Sequence, residues 1–163
     1  MGFFDALMET FLDDHTRREK RFEESVVKKF PRKFFLLTAG HLPDAPAKEG
    51  PAGPVKKSRY RVTHKPTGDQ FVIELTWFPH MAQQVALEFS TPEQLETAKK
   101  FTETEKIPVI FIVGLGGVDN FGGEDIFVLP LTVIQKPVLT PDQFDTYRKK
   151  PQTDFYWEHG HLY

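Results

Sequence analysis

Apolar residues recur at helical spacing near the start of the chain. Phe3, Phe4, Leu7, Met8, Phe11 and Leu12 make one wide stripe over residues 3–13, which predicts a short amphipathic helix. Its apolar face suits core packing, a dimer contact or a partner. Its acidic residues disfavour an anionic lipid surface. A second helix is predicted over residues 16–30. Phe22, Val26 and Phe30 fall at i, i+4 and i+8 on its buried face, Thr16 with Glu19 fits a capping box, and Pro31 closes it.

Alternation then replaces helical spacing. A strand is predicted from about Arg32 to Ala39, another over residues 58–65, and a third over residues 70–77 (QFVIELTW). Pro66-Thr67-Gly68-Asp69 forms the turn that makes the last two a hairpin. Between the first and second strands, residues 41–58 hold Pro43, Pro46, Pro51 and Pro54 with Gly50 and Gly53. No regular element survives that density of proline, so a long loop is expected.

A helix is predicted over residues 91–105, with Thr91 as N-cap, Pro92 in the first turn and Leu95, Ala98 and Phe101 inward. The run IPVIFIVGL is almost wholly apolar and β-branched, as in a strand buried on both faces. DIFVLPL adds a further strand, residues 141–148 a short helix, and DFYWEHGHLY an aromatic tail packed on the body. Helix, three strands, helix, strand, strand is an α/β architecture with a mixed sheet flanked by helices. No internal repeat divides the 163 residues, so one domain is expected.

Composition narrows the chemistry. Cysteine is absent, which excludes a thiol nucleophile and any cysteine-ligated metal. The N-terminus lacks the basic segment of a secretory signal, and Ala6 stands where a myristoylation signal needs Ser or Thr. The longest apolar run, residues 107–118, is too short to span a bilayer. A cytoplasmic protein with no membrane partner is expected. The net charge of −2 conceals an uneven distribution, because residues 1–66 hold 14 Lys and Arg against 9 Asp and Glu. That basic part either faces nucleic acid or spreads over solvated surfaces.

Glu74 is the most informative residue. It interrupts an apolar strand and shares a face with Val72 and Thr76. A carboxylate there is half-exposed, paired or metal-bound, since burying it alone is costly. The glycines of Gly114-Leu115-Gly116-Gly117 follow a strand, yet lack the Gly-Lys-Ser/Thr ending of a phosphate loop. A structural turn is the plainer reading. His159 and His161 fit a surface better than a metal site.

The ordered set (a helix carrying FEESVV, a long loop, a hairpin ending in FVIELTW, a helix TPEQLETAKKF, a buried strand ending in GLGG, and FVLPL) resembles the PD-(D/E)XK nuclease superfamily. The likeness runs from about Arg17 to Leu131 and points to bacterial restriction-endonuclease-like proteins. It implies an αβββαβ core and Mg²⁺-dependent phosphodiester cleavage, with the metal activating water and stabilising charge on the phosphate. Carried over, Glu74 matches the strand acid and metal ligand, Glu23 a first-helix acid, and Gln94 the glutamine of a RecB-like helix motif whose tyrosine is here Ala98.

Two departures weaken the catalytic reading. The family lysine is replaced by Thr76, and the acid expected on the second strand has no match among Ser58, Arg59, Tyr60 and Arg61. Asp69 belongs to the turn, about 16 Å from Glu74 along an extended strand. Lys56, Arg59, Arg61 or Lys65 supplies a displaced cation, or else Arg59 or Arg61 pairs with Glu74 or Glu23 in place of a metal. Two functions follow as expectations. One is a nuclease-like DNA-processing protein with weak or lost activity, contacting phosphates through Lys56, Lys57, Arg59, Arg61, Lys65 and the basic helix (Arg17, Arg18, Lys20, Arg21, Lys28, Lys29). The other is a non-catalytic interaction or homodimerisation module, using the N-terminal helix and aromatic tail.

Overall fold

Among the described residues six strands hydrogen-bond into one mixed sheet, side by side in the order Phe35–Ala39, Ser58–His64, Gln70–Phe78, Val109–Leu115, Asp125–Pro130 and Arg148–Lys149. The computed structural model describes residues 2–39, 58–79, 86–116, 125–150 and 153–163. The expected proline-rich loop and Gly117 lie outside the described residues. So do the side chains of Phe3, Phe4, Met8, Phe11 and Leu12, while Leu7 is exposed.

The first element corrects the sequence reading. Helix α1 runs unbroken from Phe3 to Lys28, where two helices were expected. Thr16 is therefore mid-helix rather than a cap. Nothing between Asp13 and Thr16 breaks a helix, because the residues are polar but include neither Gly nor Pro. Pairs one turn apart lace the junction: Arg18 Nη2 to Asp14 at 2.9 Å and His15 Nδ1 to Glu19 at 3.6 Å.

Strands β1 (Phe35–Ala39), β2 (Ser58–His64) and β3 (Gln70–Phe78) form an antiparallel meander. Helix α2 (Pro92–Glu105) carries the chain over to β5 (Val109–Leu115), which lies parallel to β3. A parallel neighbour needs such a crossover. β6 (Asp125–Pro130) and the two-residue β8 (Arg148–Lys149) complete the sheet antiparallel. Residues 32–34 form a turn, so the first strand starts later than expected. Short additions escaped the sequence reading: β4 (Leu87–Glu88) pairs with β7 (Val138–Leu139), and β9 (Trp157–Glu158) pairs with β10 (His161–Leu162). The predicted helix over 141–148 is a 3-10 turn followed by α3 (Phe144–Tyr147).

The sheet has a core on each face. One joins Phe22 and Val26 of α1, with Phe30 just past its end, to Phe71, Ile73, Leu75 and Trp77 of β3 and to Phe155, Trp157 and Leu162 of the tail. The other joins Leu95 and Ala98 of α2 to Val72, Val109, Phe111 and Val113. α1 lies so close to β5 that a Cβ on Gly114 would meet the Phe22 ring at 2.3 Å. No helix among the described residues is long and apolar enough to cross a membrane.

Candidate functional site

Strand alternation sends neighbouring residues of the β2–β3 hairpin to opposite faces. On the α1 face, Ser58 and Tyr60 stand opposite Leu75 and Ile73. Both hydroxyls donate to Glu23 of α1: Ser58 Oγ to Oε2 at 2.7 Å, and the Tyr60 phenol to Oε1. Glu23 thus fastens the helix to β2. Burial, then the hydrogen bond and charge of Glu23, push the Tyr60 phenol up to about 12.

On the α2 face, register places Arg59 opposite Glu74 and Arg61 opposite Val72. Arg59 Nε donates to Glu74 Oε2 at 3.1 Å, with the side chains 15% and 3% exposed. The carboxylate is therefore neither half-exposed nor alone. It is buried and charge-paired, with a cation where the resemblance expects an acid. Thr76, at the family lysine position, donates its hydroxyl to the Phe89 carbonyl at 3.2 Å. Arg61 Nε finds no acceptor among the described residues.

Gln94 has a local role. Its Oε1 accepts from Thr91 N and Ser90 Oγ, both at 3.1 Å, while its own N–H donates to Thr91 Oγ1. It is the reciprocal half of a capping box. The pattern Thr-x-x-Gln was visible in the sequence and identifies this role without a structure.

Glu23, Glu74, Thr76 and Gln94 are therefore not brought together. Glu23 acts on one face of the sheet, and Glu74 and Thr76 lie on the other. The hairpin cations are also dispersed. Arg59 is neutralised, Lys56 and Lys57 lie outside the described residues, and Lys65 at the turn donates to the Arg32 carbonyl at 2.6 Å. Among the described residues no group of three His, Asp or Glu side chains could hold a metal ion. The donors that the resemblance would assign to Mg²⁺ do not fit it, because an arginine already neutralises the one strand acid and threonine supplies no charge.

A second polar cluster was not anticipated. His64 Nδ1 lies 2.9 Å from Thr67 Oγ1, Thr67 donates to Asp69 Oδ2 at 2.8 Å, and the Trp157 indole N–H donates to the same oxygen at 2.8 Å. These two donors hold the Asp69 carboxyl below the usual carboxylate range. The chain ties the tail to the hairpin turn, with Trp157 stacked on Phe71. The sequence signal was an acid in a turn and a tryptophan in an aromatic tail, which names both residues but not their pairing. No family model matches this chain, and no curated protein or solved structure matches it.

Proposed function

We propose that this protein is a nuclease-like α/β domain whose metal-dependent phosphodiesterase site has been replaced by an ion pair, leaving a non-catalytic binding module. The observation that carries the reading is the Arg59–Glu74 contact at 3.1 Å. It puts a fixed positive charge beside the strand acid and removes the need for a cation there. The element order supports the nuclease-like part, since α1-β1-β2-β3-α2-β5 is αβββαβ once the two-residue β4 is set aside. The loss of cutting follows from charge. Without a second acid and a lysine, nothing assembles and polarises a water against a phosphate.

The test is cleavage of linear, circular, branched and single-stranded DNA in Mg²⁺ and in Mn²⁺. The protein, a Glu74→Ala variant and an Arg59→Asp variant that restores an acid to β2 would be run together. The expected result is no cutting by the protein or by Glu74→Ala. Metal-dependent cutting by the protein that disappears in Glu74→Ala would sink the proposal.

A further inference from the structure

The aromatic tail carries a feature that the nuclease-like reading does not use. β9 and β10 are joined by His159 and Gly160, both at positive φ (50° and 79°), as a two-residue hairpin requires. Trp157 and Leu162 point inward. Just outside this pair, Tyr156 and Tyr163 exchange backbone hydrogen bonds at 3.0 Å. Their rings stack at 5.0 Å between centroids and 14° between planes, yet the residues are 54% and 46% exposed. Two large rings, ordered by each other and by a hairpin, are presented to solvent.

Three cations and two acids line a groove where the hairpin meets the end of α1. Phe155 N donates to the Lys29 carbonyl at 2.7 Å, which seats the hairpin against the end of α1. A shallow groove of about 510 Å³ there is lined by Arg21, Glu24, Ser25, Lys28, Lys29 and Asp154. Lys149 lies over the Phe155 ring at 4.7 Å. Burial and the nearby Lys29 draw its ammonium below the usual lysine range, so the two cations feel each other. Asp69, the acid at the hairpin turn, already accepts from Trp157 and Thr67.

We propose that this end of the molecule binds single-stranded nucleic acid, with Tyr156 and Tyr163 as the base-stacking platform and Arg21, Lys28 and Lys29 of the groove as the phosphate contacts. Exposed aromatic faces beside cations match a ligand that alternates flat bases with negative charge. A duplex hides its base faces and could use only the charges. The site lies on the α1 side of the sheet, away from Arg59 and Glu74. It stands whether or not the nuclease-like reading does.

The test is fluorescence anisotropy with a labelled oligothymidylate of about 12 nucleotides. A duplex of equal length and anionic phospholipid vesicles serve as competitors. The expected result is saturable binding that weakens with salt, with a log–log slope of about −2 for three phosphate contacts. Tyr156→Ala and Tyr163→Ala should each weaken it by about tenfold, and Tyr156→Phe should restore it. Lys28→Glu, at an exposed position, should weaken binding and flatten the slope. The proposal is overturned by no binding at low salt. It is also overturned by affinity unmoved in the alanine variants, by duplex bound as tightly as the single strand, or by displacement by vesicles alone.

Discussion

Glu74 is 3% exposed and survives there because Arg59 is beside it. Removing either partner takes away the opposite charge that stands 3.1 Å from the other. Glu74→Ala should therefore cost about 3 kcal/mol of unfolding free energy. Replacing both residues, as in Arg59→Met with Glu74→Leu, should recover most of the loss. Urea unfolding of the two single variants and the double variant checks this. Similar losses in all three would mean that the pair does not act as a unit. Gly114 is constrained differently, since its missing Cβ leaves room for the Phe22 ring. Gly114→Ala should destabilise by about 2 kcal/mol through overpacking, read as a lower midpoint in the same experiment. The sequence placed Glu74 on its strand and named arginines as possible partners. Arg59 and Arg61 are two residues apart and share a face, so parity could not choose between them. Only the hairpin register does.

At the level of elements, α1 gives the sharpest contrast between sequence and structure. Thr16 with Glu19 has the form of a capping box, but a cap signal starts a helix only where the preceding residues are not already helical. Were Thr16 a cap, Thr16→Ala would cost about 1 kcal/mol. Exposed in mid-helix, the same change should stabilise by a few tenths, about 0.5 kcal/mol at most. Thermal unfolding distinguishes the two by sign. Helix α2 was legible because its signals (Thr91, Pro92, Gln94) agree with its apolar face. The β9–β10 hairpin was not, because His-Gly is a weaker turn signature than Asn-Gly and the paired strands are only two residues long. Docking of that hairpin depends on Asp69. Its carboxyl is lowered in the folded protein, so its contribution is present above the ordinary carboxylate range and is lost as pH falls through the folded value. Trp157 fluorescence should change over that acid window, and Asp69→Asn should abolish the change.

Across the whole molecule, the α/β class and mixed sheet were readable because strands and helices differ clearly in period and the crossover helix is well marked. The distribution of candidate groups between the two faces was not. It depends on which parity each strand presents, and one residue of slippage reverses it. Two expectations belong to this scale. First, Mg²⁺ at about 10 mM should leave the unfolding midpoint unchanged, because an ion without a fitting donor set gives no linkage. A rise in midpoint that Glu74→Ala removes would show a metal site after all. Second, the raised Tyr60 phenol makes the folded state resist ionisation that the unfolded chain undergoes near pH 10. Stability should therefore fall as pH rises from about 10 towards 12. Tyr60→Phe should lose that alkaline dependence, as judged by unfolding midpoints along the series.

The stack of Phe155 on Phe30, at 4.4 Å, has a consequence for how the chain is made. Phe30 is synthesised early, and the ring that covers it arrives more than a hundred positions later. Phe71 waits in the same way for Trp157. Until those residues leave the ribosome, the part of this sheet face that α1 does not cover stays open and presents Phe30 and Phe71 to water. Contacts this distant in sequence slow folding. The finished layer should therefore assemble late, and a nascent chain stalled before residue 155 should be bound by chaperones at the very surface that the tail later covers.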